Sequence, residues 1–87
     1  KDYALMMNYP NPFNQTTTFQ FQIPRLSEVN IRIIDINGRM IESLVNKVIS
    51  DGNYSVILNA AKVSSGIYFI RMESGNFNTV RKCVLLK

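Results

Sequence analysis

The sequence predicts an all-β fold, an antiparallel β-sandwich of about seven short strands, and three observations point there. Ten Ile, seven Val and four Thr are spread along the chain, and these residue types fit a pleated, half-buried surface. Runs in which apolar and polar residues alternate recur at even spacing, separated by short turn-forming segments. No stretch sustains a helical period. At 87 residues, 46% hydrophobic and 18% charged, the composition is globular and the chain reads as one domain over residues 1–87. Residues 1–4 are expected to be a linker remnant.

The elements follow in order. Leu5–Tyr9 is expected to form a short first strand. Tyr9-Pro10-Asn11-Pro12-Phe13-Asn14 is rigid and extended, because each proline fixes φ, lacks an N–H and holds its preceding residue out of the helical region. In Thr18–Ile23, Phe19, Phe21 and Ile23 share one face, and Pro24 ends the run. Val29, Ile31 and Ile33 repeat the pattern, with Asn30 and Arg32 pointing the other way. Asn37-Gly38, both tolerant of positive φ, predicts a hairpin joining Val29–Ile36 to a strand near Met40–Val45. The polar stretch Asn46–Gly52 reads as a loop. Tyr54, Val56 and Leu58 then alternate with Ser55, Ile57 and Asn59. Ala60–Ser65 is a connection with room for one helical turn. Gly66–Met72 is the most apolar strand and is expected at a sheet centre. Ser74-Gly75-Asn76 is a turn, and Thr79–Leu86 is the last strand. Pairing between sequence neighbours is expected to bury the Phe, Ile, Val and Tyr faces between two sheets. No internal repeat is evident.

The residues that catalysis requires are missing. The chain has no His, so neither Cys83 nor Ser64-Ser65 has a base to activate it. One Cys without His also leaves zinc no ligand set. Cys83 lies in the apolar run Val80–Leu86 and reads as a buried, inert thiol. The four glycines stand singly at turns, not in a phosphate-cradling loop. Asp35-Ile36-Asn37-Gly38 begins like a calcium loop but lacks the later ligands and the distal Glu; a hairpin turn accounts for it. No catalytic residue, cofactor or metal is expected. Asn14-Gln15-Thr16 and Asn53-Tyr54-Ser55 match the glycosylation tripeptide, which matters only in a cell with the transferase. No apolar run reaches the roughly 18 residues of a membrane span, so direct membrane insertion is not expected.

The formal charge of +4 is uneven. In residues 1–44, Lys1, Arg25, Arg32 and Arg39 balance Asp2, Glu28, Asp35 and Glu42. Residues 45–87 hold six basic groups against Asp51 and Glu73, three of the six within the last seven residues. A basic C-terminal end suits an acidic receptor, an anionic surface or nucleic acid. Nucleic acid also wants exposed aromatics beside the basic groups; here the aromatics fall on core faces, so that partner is not expected. Lys on a last strand equally protects a sheet edge.

Four elements stand in order: Tyr9-Pro10-Asn11-Pro12-Phe13-Asn14, Asp35-Ile36-Asn37-Gly38-Arg39, Ser65-Gly66-Ile67-Tyr68-Phe69, and Arg81-Lys82 ahead of Lys87. Together they resemble the C-terminal sorting domain of proteins secreted by the type IX (Por) system of Bacteroidota, from about Leu5 to Lys87. Gln15 stands where that family often has a proline. The resemblance implies an Ig-like β-sandwich that serves as a non-catalytic secretion signal at the C-terminus of a larger protein. It implies an N-terminal cargo domain in the same chain and outer-membrane type IX translocon components as partners. It also implies a surface sortase-like peptidase that removes the domain, with passage through the periplasm and then surface attachment or release. The Pro-x-Pro element falls on Pro10 and Pro12 around Asn11, the Gly-x-Tyr element on Gly66 and Tyr68, and the terminal basic element on Arg81, Lys82 and Lys87.

Pro10, Pro12, Gly66 and Tyr68 read as structural, with the Tyr68 hydroxyl bonded at the sandwich edge. Lys82, Lys87 and the backbone of the last strand read as the recognition end, because an edge strand offers N–H and C=O groups to a partner. The same property opens a route to edge-strand self-association. An alternative reading is an Ig-like accessory, interaction or spacer module of a larger extracellular enzyme. Residue 1 is Lys rather than Met, so the chain is expected to be a fragment or processed product.

Overall fold

Alternation along a strand produces one apolar face, and that face is removed from water only when another meets it. A computed structural model describes residues 2–87. In it the strands are β1 (Ala4–Leu5), β2 (Thr16–Ile23), β3 (Ser27–Asp35), β4 (Met40–Ile49), β5 (Gly52–Asn59), β6 (Gly66–Ser74) and β7 (Phe77–Leu85). They form a three-stranded sheet ordered β1-β2-β5 and a four-stranded sheet ordered β4-β3-β6-β7, with every pairing antiparallel. The expected all-β sandwich of seven strands is what forms.

The predicted faces make the core. Phe19, Phe21 and Ile23 of β2 and Leu58 of β5 meet Val29, Ile31 and Ile33 of β3, Ile70 and Met72 of β6, and Cys83 and Leu85 of β7, all buried. Each fully buried side chain of this size contributes roughly 1.5–3 kcal/mol relative to exposure. β6 lies inside its sheet, between β3 and β7, as its apolar composition predicts.

Sequence neighbours pair in only part of the fold. β1–β2, β3–β4 and β6–β7 do so, but β2 also pairs with β5 and β3 with β6. Residues 24–26, 50–51 and 60–65 each carry the chain from one sheet to the other, so a strand's sequence neighbour lies across the core. β1 is shorter and earlier than expected, and the chain touches β2 again at the Tyr9–Thr18 bridge. Of residues 1–4, residue 1 lies outside the described residues. Tyr3 stacks on Phe77 at 5.3 Å between ring centroids, and Gln22 Nε2 donates to the Asp2 carbonyl at 3.0 Å.

β4 overruns the stretch expected as a loop and continues to Ile49. Its register with β3 shifts twice, between Ile31 and Arg32 and between Ile33 and Ile34. Such bulges put extra residues into one strand and break its period of two, which hides the strand from a periodicity argument. The 60–65 connection contains a β-turn, Val63 N–H to Ala60 O at 3.0 Å, in place of a helical turn.

The Asn37-Gly38 hairpin forms with different chemistry from that expected. Only Gly38 has positive φ, at 84°. Gly38 N–H donates to Asp35 O, and Asp35 N–H to Arg39 O, both at 3.0 Å. This is the three-residue loop with glycine in the left-handed position. The Asp35 carboxylate holds it by accepting from Asn37 N–H at 2.9 Å and Arg39 N–H at 3.0 Å. The Arg39 amide, then the Asn37 amide and the Arg39 guanidinium, keep the Asp35 carboxyl below its ordinary range against a smaller opposing effect of burial.

A five-residue repeat emerges that sequence reading missed: Ser50-Asp51-Gly52-Asn53-Tyr54 and Ser64-Ser65-Gly66-Ile67-Tyr68. Each begins a strand after a sheet crossing. In each the tyrosine hydroxyl donates to the carbonyl four residues upstream, Tyr54 to Ser50 at 2.6 Å and Tyr68 to Ser64 at 2.7 Å. These are tyrosine corners of the kind sandwich folds use. Gly52 and Gly66 sit at φ 145° and 157°, a region that a side chain disfavours.

Tyr68→Phe should therefore cost about 0.5–1.5 kcal/mol in urea denaturation. Tyr54→Phe should cost less, because its hydroxyl bond is exposed to water. Gly66→Ala should cost about 1–3 kcal/mol through backbone strain.

Candidate functional site

β7 is one edge of the four-stranded sheet, and its neighbour β6 satisfies one side. Tyr68 lies opposite Cys83, and Gly66 opposite Leu85. Alternate residues of an antiparallel strand turn their N–H and C=O to opposite sides. Val84 bonds away from β6, so Asn78, Val80 and Lys82 face outward with it.

The Pro-Asn-Pro segment covers part of that outer edge. Phe13 N–H donates to Val84 O at 2.9 Å, and Leu86 N–H donates to Phe13 O at 2.8 Å, a parallel bridge centred on Leu85. One step earlier a side chain replaces the backbone. Val84 N–H donates to Asn11 Oδ1 at 3.0 Å, and Asn11 Nδ2 donates to Lys82 O at 3.3 Å. Pro10 and Pro12 have no N–H to offer. The Asn11 amide, with one acceptor and one donor, stands where a neighbouring strand's peptide group would.

The strap is fixed at both ends. Tyr9 and Thr18 exchange backbone bonds at 2.8 and 3.0 Å, which ties it to β2. Pro10 O accepts from the Thr17 hydroxyl at 2.8 Å and from Asn8 Nδ2 at 3.2 Å. Phe13, only 2% exposed, anchors the other end in the core. Sequence reasoning missed Asn8, Phe13 and Thr17 as parts of this site. Thr17 carried a usable signal, since it continues the parity of Phe19, Phe21 and Ile23 and is a polar residue on the core face.

The basic residues are placed differently from one another. Arg81 Nε donates to Leu5 O at 2.8 Å, linking β7 to the opposite sheet. Lys87 N–H donates to Ser65 Oγ at 3.1 Å, and its ammonium donates to Ala61 O at 2.8 Å, so it closes the loop before β6. The exposed Lys82 side chain makes no hydrogen bond or ion pair among the described residues. It lies opposite Phe69, which lies opposite Ile34, on the outer face of the sheet. Farther along that face Arg32 bonds Glu73 at 2.9 Å and Arg71 approaches it at 3.5 Å. The Arg32 hydrogen bond holds the Glu73 carboxyl below its ordinary range, opposed in part by burial.

No three His, Cys, Asp or Glu side chains among the described residues come together as metal ligands would. Cys83 is a free thiol in the core, and burial pushes its pKa up from 9.0 to about 11. The strap, the outer backbone groups of β7 and the exposed Lys82 side chain lie together at this edge.

A family model described as the secretion system C-terminal sorting domain matches residues 7–86, a span that begins just before the strap and ends just after β7. No curated protein matches the chain.

Asn11→Ala removes both amide bonds to β7, and stability in urea should fall by about 1–3 kcal/mol. Cys83 should resist alkylation at pH 8 in the native state and react only on unfolding. Because its pKa is raised on folding, the matching stability is present below about pH 9 and is lost as pH rises through about 11.

Proposed function

This chain belongs to the secretion system C-terminal sorting domain family, a non-catalytic family of type IX export signals, and we propose that residues 1–87 act as one such signal. Its cargo is a domain N-terminal to it in the same parent. The signal passes through the periplasm and is read by translocon components at the outer membrane. A surface sortase-like peptidase then removes it, and the cargo is attached at the surface or released.

The reading surface we propose is the outer edge of β7, open at Asn78 and Val80 and covered by the strap toward its C-terminal end. Pro10, Asn11 and Pro12 build it from one end of the chain, and Gly66 and Tyr68 hold the strand beside it. Arg81 and Lys87 fasten it through backbone carbonyls. Lys82 supplies the free positive charge, and the outward N–H and C=O groups of Asn78 and Val80 supply strand edge for a partner. The observation that carries this reading is the Asn11 bridge to Lys82 and Val84, which joins elements more than 70 residues apart. A surface assembled from both ends of the chain exists only once the whole domain has folded, so a receptor that reads it reads completed folding.

The test is export. Residues 1–87 are fused behind a signal peptide and a fluorescent reporter in a Bacteroidota host with and without a working type IX translocon. Reporter outside the wild-type cell and trapped in the mutant periplasm is the expected result, with export reduced by Lys82→Ala and abolished by removing residues 82–87. Periplasmic retention in both hosts, with the domain folded, would overturn the proposal in favour of an accessory or spacer module.

A further inference from the structure

A sandwich with two open sheets has four strand edges, and three of them are guarded by different means. β1 is two residues long. β7 is covered from Lys82 onward by Asn11 and Phe13, with Arg81 bonded to Leu5. β4 carries two bulges, and its Glu42 and Lys47 stand opposite the inward-facing Ile33 and Val29. Short edges, covers, bulges and inward-pointing charges are the devices that keep strands from pairing with strangers.

β5 has none of them. Gly52–Asn59 pairs with β2 over its whole length without a register shift, and it contains no charged residue and no proline. Ala60 N–H bonds Gln15 O on the β2 side, so by parity Asn53, Ser55, Ile57 and Asn59 turn their N–H and C=O groups away from β2. No backbone partner takes up these groups in residues 53, 55 and 57 among the described residues. Ile57 is 69% exposed.

We infer that β5 is a self-association edge, at which two copies of this chain pair antiparallel about a two-fold axis and join their three-stranded sheets into one. The charges at its ends select this partner and this direction. Asp51 precedes β5 and Lys62 follows it, both exposed and neither in an ion pair among the described residues. Outward-facing residues must oppose outward-facing residues. Setting Ser55 opposite the copy's Ile57 brings Asp51 opposite the copy's Ala61, beside Lys62, at both ends. A parallel copy would set Asp51 against Asp51 and Lys62 against Lys62. The strand between is neutral, so the chain's formal charge of +4 does not meet itself at the join. One strand pair buries less than the roughly 1,200 Å² of a standard interface, so the dimer is weak, with Kd on the order of 10 µM to 1 mM.

Sedimentation velocity across that concentration range tests the inference without reference to export. The wild-type chain should shift from monomer to dimer. Ile57→Lys should weaken pairing about tenfold or more, with its urea midpoint unchanged. Asp51→Lys alone should weaken it, and Asp51→Lys with Lys62→Glu should restore it. Val48→Lys on β4 should have no effect. In the wild-type chain, amide exchange at Ser55 and Ile57 should slow as concentration rises. A monomer throughout the range, a dimer insensitive to Ile57→Lys, or failure of the double reversal to restore pairing would each overturn the inference.

Discussion

Val84 gives its N–H to the Asn11 side chain and its C=O to the Phe13 amide, and the C-terminal end of the sandwich is organised around that exchange. An edge strand must leave backbone groups to water or find partners for them. Here the partner comes from the opposite end of the chain, through a segment in which two prolines have removed the backbone donors. The Asn11 amide restores one donor and one acceptor between them. With Phe13 in the core and Tyr9 paired to Thr18, the strap spans both sheets, and Leu5 and Arg81 add a second tie. The fold and the proposed reading surface therefore rest on the same few bonds.

Much of the fold was legible because the core strands are regular. The alternation of Phe19, Phe21 and Ile23, of Val29, Ile31 and Ile33, and of Tyr54, Val56 and Leu58 marked faces that do meet in the core. β4 was cut short because its bulges break that alternation and most of its residues are exposed. The Asn37-Gly38 hairpin forms where the dipeptide predicts it, but only Gly38 uses the positive φ that both residues tolerate, and dipeptide preference does not register that Asp35 caps the loop through its carboxylate. Non-sequential pairing escaped notice because nothing local distinguishes a turn within a sheet from a crossing between sheets.

The site was legible residue by residue and illegible as a constellation. Pro10 and Pro12 announced a rigid segment, and Lys82 a charge on an edge strand, but no periodicity connects residues so far apart in sequence. The repeated Ser-x-Gly-x-Tyr pentapeptide was readable in principle. Its two copies follow sheet crossings at Ser50 and Ser64, and each uses glycine backbone freedom and a tyrosine hydroxyl to pin a strand's first turn. The Gly66-Tyr68 pair that the family resemblance marks is thus one of two copies of a folding device, which supports its structural role. Treatment of the edges is uneven in the same way: β1, β4 and β7 are each blunted, and β5 is left open.

Native-state amide exchange on the wild-type chain tests the central claim most directly. Asn78, Val80, Val84 and Leu86 all turn their amides to the outer side of β7, and they differ in whether the strap reaches them. Slow exchange at Val84 and Leu86 beside fast exchange at Asn78 and Val80 is the predicted result, because only the first two donate to Asn11 and Phe13. Equally fast exchange at all four would mean that the strap does not hold the strand, and would contradict the account.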